Sequence, residues 1–218
     1  MITRIGMAPR EEGLTLEEFQ RHWRGPHGDV ASRIPGVRSY VQNHAVLVDG
    51  RPVLPHPGFD ACAQLTFDDL DAMDAAFASE HYQGAVRADE RGFVDKTRFS
   101  LFLGHAEVLH DGRPGDEAVK LMTFLRAHPA VPRAELLAAL RGPAAEAALA
   151  DGAQRLELLT ALDHGRTGRE AQACDAVAIA WFADVDRALA HVRGPADDGL
   201  GGLVFGRERL LARPVRIL

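Results

Sequence analysis

Apolar positions recur along this chain at two different periods. Leu16, Phe19 and Trp23 fall at i, i+3 and i+7, the stripe of an amphipathic helix. Thr15 and Glu18 in front of that stripe form a capping-box pattern, so the helix should start at about residue 15. Gly25-Pro26 predicts the end of the regular helix near residue 24, since proline lacks an N–H and disfavours αR in the residue before it. A continuation through residues 29–33 fits the pattern. From Phe59 to Phe67 the period becomes two: Phe59, Ala61, Ala63, Leu65 and Phe67 alternate with Asp60, Cys62, Gln64 and Thr66, which predicts a strand. A second helical stripe follows at Leu70, Met73 and Phe77, with Asp68 or Asp69 as its cap. Strands are also expected over residues 2–8, 37–48 and 98–109, and residues 79–95 read as polar and irregular. The resulting order is β-α-β-β-α-β, a split βαβ unit.

The second half repeats the first. Residues 118–125 answer 2–8, and Arg141-Gly142-Pro143-Ala144 answers Arg24-Gly25-Pro26-His27. Residues 174–182 answer 59–67, Asp184-Val185-Asp186 answers Asp69-Leu70-Asp71, and residues 210–218 close as a last strand. The expected architecture is therefore α+β, with two tandem ferredoxin-like halves. One domain spans 1–110, a Gly/Asp/Pro-rich linker spans 111–117, and a second domain spans 118–218. The halves differ in polar inventory. Ala144 stands where the first half has His27, while Val177, Ile179 and Trp181 stand where it has Cys62, Gln64 and Thr66. Burying a polar side chain costs about 1–3 kcal/mol unless it is hydrogen-bonded. A polar-lined pocket in residues 1–110 accounts for that set; the plainer reading is that these groups face solvent in one half and are covered in the other.

Composition narrows the function classes. The 218 residues are 46% hydrophobic and 26% charged, with a formal net charge of −6 and no Lys/Arg cluster, which argues against nucleic-acid and anionic-membrane binding. No apolar run reaches the ~18–20 residues of a membrane span, and the N-terminal residues lack the pattern of a signal peptide. A cytoplasmic protein with reduced Cys62 and Cys174 is expected. Metal-ligand spacings, a Walker loop, a dinucleotide fingerprint and a Gly-x-Ser-x-Gly elbow are all missing, so no metal and no cofactor is expected.

The histidine best placed for acid/base work is His27, four residues beyond Trp23 and just past the helix break. The bland reading makes it a helix cap or a satisfied polar group. On the strand after Pro35-Gly36, Tyr40, Gln42 and His44 share one face and Val41, Asn43 and Ala45 the other. Asn43 and Gln64 are candidate hydrogen-bond donors to an oxyanion or enolate. Trp23, Phe67 and Phe102 are candidate flat walls for an aromatic ligand, although such residues are more often core. Asp60 completes the polar set. His22 reads as surface.

Several of these runs together resemble the EthD domain family. They are Leu16 through Phe19, Trp23 and His27; Ile34-Pro35-Gly36-Val37-Arg38-Ser39-Tyr40; Phe59 to Phe67 with Asp68-Asp69-Leu70; and Ala88-Asp89 with Phe93-Val94-Asp95. The resemblance covers residues 1–110 and implies a dimeric α+β barrel, here built within one chain. It implies cofactor-independent chemistry on an aromatic, polyketide-like or lactone substrate, of isomerase, cyclase, dehydratase or oxygenase type. His27, Asn43 and His44 would be the catalytic set, with Trp23, Tyr40, Gln64 and Phe67 binding the substrate. Ala144 departs from the pattern, which implies that only the first half is active. The rival expectation is a non-catalytic accessory protein that holds a hydrophobic metabolite or haem. Pairing of two chains as a homodimer is compatible with either.

Overall fold

The computed structural model describes residues 1–163, 172–194 and 198–218. The protein is α+β and divides into two compact units: residues 1–103 with 214–218, and residues 104–213.

In the first unit, β1 (Ile2–Ala8) leads to α1 (Leu16–His22). The capping box is formed: the Glu18 N–H donates to Thr15 Oγ1 at 3.2 Å and the Thr15 N–H donates to Glu18 Oε2 at 2.8 Å. The helix does not stop at the proline. It widens into a π-helical turn, Trp23–His27, with Pro26 inside it, and runs on as α2 (Gly28–Ala31). Proline cannot donate to the carbonyl four residues back and its ring collides with it. Widening the turn relieves both conflicts without breaking the rod.

The strand expected over 37–48 is shorter. It comprises β2 (Ser39–Ala45) and a small hairpin of β3 (Leu47–Val48) and β4 (Arg51–Pro52), with Asp49 at φ 50° in its turn. The alternating run becomes β5 (Ala61–Phe67). Helix α3 (Leu70–Ala78) follows, its first turn capped by Asp69, whose Oδ1 accepts the Ala72 N–H at 2.8 Å. Residues 79–95, expected to be irregular, are largely helical: a second π-helical turn (Tyr82–Val86) continues directly into α4 (Arg87–Glu90). A polar composition hid this helix because only a narrow stripe of it is buried.

Strands β1, β5 and β2 are antiparallel, with Arg4, Leu65 and Tyr40 in one row and Gly6, Ala63 and Gln42 in the next. The C-terminal residues line up beside β2: the Tyr40 N–H donates to the Leu218 carbonyl and the Ile217 N–H to the Tyr40 carbonyl, at 3.1 and 2.9 Å. Strand β6 (Ser100–His110) begins in this unit and ends in the other. The core below α1 is Leu16, Phe19, Trp23, Ala61, Phe93 and Val94.

In the second unit, β7 (Val119–Ala127), α5 (Arg133–Arg141), α6 (Pro143–Ala150), β8 (Arg155–Ala161), β9 (Ala176–Phe182), α7 (Val185–Arg193) and β10 (Val204–Arg216) follow in order. The antiparallel sheet order is β10-β7-β9-β8, with the end of β6 against the free edge of β8. Its core gathers Leu125, Leu136, Leu140, Leu158, Ala176 and Leu200.

Phe19 is fully buried, with ring centroids of Trp23 and Phe93 5.6 and 5.5 Å away. Phe19→Ala should therefore cost about 3–5 kcal/mol in urea unfolding. Thr15→Ala, which removes only the cap, should cost about 1 kcal/mol.

Candidate functional site

A cavity opens in the first unit between the sheet face of β1, β5 and β2 and the helical layer above it. It encloses about 540 Å³, its mouth to solvent included. Small residues on the strands make the space: Gly6 and Ala8 on β1, and Ala61 and Ala63 on β5. A Cβ at Gly6 would stand 2.7 Å from Arg4 Nη1 and 3.2 Å from the Phe99 ring, so this glycine is what admits the guanidinium. The two π-helical turns form the roof, contributing Trp23 and His27 from one and Tyr82 and Val86 from the other. π-Turns widen the backbone and re-aim side chains, and they recur at functional sites.

His27 is 5% exposed and lies on the cavity wall. Its Nδ1 is 2.8 Å from Asp89 Oδ2, and the other carboxylate oxygen of Asp89 is 2.9 Å from His22 Nε2. The Phe93 ring lies 4.9 Å from the His27 ring and 4.7 Å from the His22 ring, fixing both. Burial lowers the His27 pKa from its usual value, against the opposing pull of Asp89 and Glu90. The imidazole is thus neutral at pH 7, with its Nδ1 proton donated to Asp89. Its Nε2 lone pair has no partner among the described residues and is not a buried unsatisfied atom, so it is open to the cavity.

Further polar groups line the same cavity: Arg4, Tyr40, Tyr82, Glu90 and Lys96. Lys96 Nζ pairs with Glu90 Oε1 at 2.9 Å and lies 5.0 Å from the Phe99 ring centre. The Arg4 guanidinium lies 4.3 Å from the centre of the Phe77 ring. The Tyr82 hydroxyl reaches Glu90 Oε2 at 3.4 Å, and burial pushes its pKa up to about 12. Burial likewise pushes Tyr40 up to about 12. Both phenols remain protonated at any ordinary pH.

The structure brings His27, Trp23 and Tyr40 to this cavity and separates the other sequence-derived candidates from it. Asn43 is fully buried on the opposite face of β2, where its Nδ2 donates to the Cys62 carbonyl at 3.1 Å. Gln64 lies between Ala63 and Leu65, which line the cavity, and so faces the other way. Phe67 is on the cavity side but packs against Phe77, with centroids 5.9 Å apart, and forms no wall. His44 shares the face of Tyr40, yet it sits behind Trp23, ring centroids 4.5 Å apart. There it belongs to a buried relay centred on Gln42. Gln42 Nε2 donates to the Trp23 carbonyl at 2.7 Å and to the Tyr40 hydroxyl at 3.2 Å; Gln42 Oε1 accepts from His44 Nε2 at 2.8 Å. His44 therefore carries its proton on Nε2, and burial beside Arg24 lowers its pKa to about 4. Asp60 ties the loop before β5 by accepting from Arg10 and His56.

Asp89, Glu90 and Lys96 are not among the sequence-derived site candidates: Asp89 enters only through the family resemblance, and the polar, irregular reading of residues 79–95 gives Glu90 and the adjoining Lys96 no local mark. Gln42 could have been found from the strand parity that groups it with Tyr40 and His44. Among the described residues no three His, Cys, Asp or Glu side chains converge to hold a metal ion.

Both buried imidazoles hold fewer protons in the folded protein than in the unfolded chain, where histidine titrates near 6.5. Stability should be full above about pH 6.5 and fall as the pH drops toward 4, by roughly 2–3 kcal/mol for His44. His44→Asn should flatten that slope in urea titrations at pH 4.5 and 7.5. Asp89→Asn removes a group that raises the His27 pKa, so the His27 ring resonances should titrate at still lower pH than in the wild type.

Comparison with known proteins extends these observations. No curated protein matches the chain in sequence. Among solved structures, an anthrone oxidase-like protein superposes with a TM-score of 0.67 at 13% identity, covering 99% of this chain and 93% of that one. A protein named as a candidate monooxygenase from Fusobacterium nucleatum gives 0.63 at 10% identity, covering 98% and 91%. A mutant chlorite dismutase from Candidatus Nitrospira defluvii gives 0.59 at 12% identity, covering 99% and 92%. Identities this low speak for a shared fold. The sequence match is to a family: residues 11–97 match the EthD domain. That range holds His27, Asp89 and the whole helical roof of the cavity, so the chain carries an EthD domain over residues 11–97.

Proposed function

We propose that the first unit is a small-molecule enzyme in which His27 moves a proton on an aromatic, polyketide-like or lactone substrate without a cofactor. The observation that carries this reading is the pairing of a buried, neutral imidazole with Asp89 on one nitrogen and an open cavity on the other. That is the geometry of a general base: the carboxylate fixes the tautomer and stabilises the imidazolium that forms. Nε2 takes a proton from an acidic C–H or O–H of the bound substrate. The enolate or phenolate left behind is stabilised by Arg4, Lys96 and the Tyr82 or Tyr40 hydroxyl, cations and donors already in place around the cavity. Return of the proton to a different carbon completes an isomerisation or ring closure with no other reactant. Trp23, Phe77, Phe93 and Phe99 supply flat walls suited to an aromatic ring. The likeness to a protein named anthrone oxidase-like supports a polycyclic phenolic ligand.

The reading extends to the chain as a whole. Its two units would be tandem ferredoxin-like domains, 1–110 and 118–218 about a linker at 111–117, joined as an intramolecular α+β barrel. The coverage of nearly the full chain by the three structural relatives supports it. No helix among the described residues is long and apolar enough to cross a membrane. A cytoplasmic protein that works on a diffusible hydrophobic ligand, alone or as a homodimer, fits these features. Asn43, His44, Gln64 and Phe67 act in this scheme as support for the cavity rather than as groups that touch substrate.

The test is a thermal-shift screen with hydroxylated anthrones, naphthols and muconolactones, followed by turnover assays on any ligand that stabilises the protein. A ligand at about 100 times its Kd adds about 2.7 kcal/mol, a shift of several degrees for a chain of this size. His27→Ala should keep binding within a few-fold while turnover falls by about 10²–10⁴. Unchanged turnover in His27→Ala would sink the mechanism. Binding without turnover in the wild type would leave a ligand-holding accessory protein.

A further inference from the structure

The second unit has a cavity of its own, about 610 Å³ with its mouth, between the β10-β7-β9-β8 sheet and helices α5 to α7. Its walls are largely apolar: Leu121, Leu125, Leu140, Leu156, Leu158 and Ile179 among them, with Ala144, Ala145 and Ala148 on the helical side. Ala144 leaves no acid or base where the first unit has His27. Two charged residues break the apolar lining from the sheet, Glu157 on β8 and Arg209 on β10. Arg209 lies on β10 directly opposite Thr123 on β7, which is opposite Ala178 on β9, which is opposite Leu158 on β8. All four line the cavity.

Arg209 makes no hydrogen bond or ion pair with any described residue, although it is half-buried. The carboxylates around it are already engaged. Asp198 takes two bonds from Arg207, at 2.6 and 3.4 Å, and its Oδ1 also accepts the Leu200 N–H at 3.1 Å. Glu157 Oε1 accepts from Arg155 at 2.8 Å and from the Trp181 indole at 3.3 Å. His191, which also lines the cavity, is held by Asp151 at 2.7 Å. Burial and the neighbouring Arg207 both press on the Arg209 charge, only partly relieved by Asp198. A partly desolvated guanidinium facing an apolar cavity is costly unless a counter-charge arrives.

We propose that the second unit holds a separate binding site for an apolar small molecule that carries a single carboxylate, gripped by Arg209. The planar fork of arginine matches a carboxylate through two parallel hydrogen bonds. The Thr123 hydroxyl, next to Arg209 in the same row, is placed to donate a third. A dianion such as a phosphate is disfavoured, because Glu157 and Asp198 also line the space and only one guanidinium is free to answer it. With Ala144 in place of His27, and with Glu157, Asp198 and His191 each held by another side chain, this site is assigned to binding a ligand.

The test uses the full chain and two probes of similar shape, 2-naphthoate and the neutral 2-naphthalenemethanol, followed by calorimetry and by amide resonances in NMR. The carboxylate should bind more tightly than the alcohol and should shift the amides of Thr123, Leu158 and Ala178. Arg209→Gln should weaken 2-naphthoate at least tenfold and leave the alcohol unchanged, while Arg209→Lys should recover part of the loss. Ala145→Phe, which fills the cavity from the half-buried helical side, should block both probes; it serves as the second variant should Arg209→Gln fold poorly by circular dichroism. His27→Ala should change neither affinity. Shifts gathered instead at Gly6, Ala63 and Phe93, the absence of saturable binding, or an Arg209→Gln protein that binds 2-naphthoate as the wild type does would each overturn the proposal.

Discussion

A proline in the body of a helix is the constraint on which the first unit depends. Pro26 has no N–H to give to the carbonyl four residues back, and its ring would strike that carbonyl in a regular helix. The chain answers by widening into the turn Trp23–His27 and then resuming α-helix. Two contacts then hold the turn in place. The Trp23 carbonyl at its start accepts from Gln42 Nε2 at 2.7 Å, which links the turn to β2 and to the buried Tyr40 and His44. His27 comes out at the end of the turn, directed at the cavity and within 2.8 Å of Asp89. In a regular helix each residue advances 100° around the axis, so removing the extra residue of the wide turn would rotate His27 away from both partners.

The same three residues resolve the conflict differently in the second unit. Arg141-Gly142-Pro143 matches Arg24-Gly25-Pro26, yet here the helix breaks. Gly142 takes φ −101° and ψ −105°, and Pro143 becomes the first residue of α6. Proline is at ease there, because the N–H it lacks would have been unpaired at a helix start in any case. A broken helix leaves no wide turn and projects Ala144, not an imidazole, at the cavity. Glycine and proline permit both outcomes. In the first unit the apolar stripe runs on beyond the proline to Ala31, which is buried, and this favours a continuous rod.

This ambiguity marks where the sequence is legible and where it is not. The capping box at Thr15 and Glu18 and the alternation along β5 are local signals, and each is present as read; the expected helix break before His27 is instead a wide turn that contains it. Strand parity already placed Asn43 opposite Tyr40. What parity leaves open is which face of a sheet the helices cover. That choice decided that Ala61 and Ala63 line the cavity while Cys62 and Gln64 do not. Partners far apart in the chain are the least legible. Asp89 lies 62 residues from His27, in a stretch whose polar residues read as a solvated surface. Its role appears only when a second wide turn, Tyr82–Val86, folds α4 back over the first.

The two buried histidines of the first unit show why burial alone does not define a site. Both have pKa values lowered by desolvation. His44 has its Nε2 proton committed to Gln42 and a tryptophan ring across its face, so a proton gained or lost there disturbs a relay that holds the strand to the helix. His27 has its proton committed on the side away from the cavity and its lone pair left open toward it. Asp89 also offsets part of the desolvation that drives the pKa down. An acid/base group needs that combination of a fixed tautomer, an open nitrogen and a nearby counter-charge for the protonated state. A histidine that has only the burial is a structural donor, and the difference lies in what the second nitrogen faces.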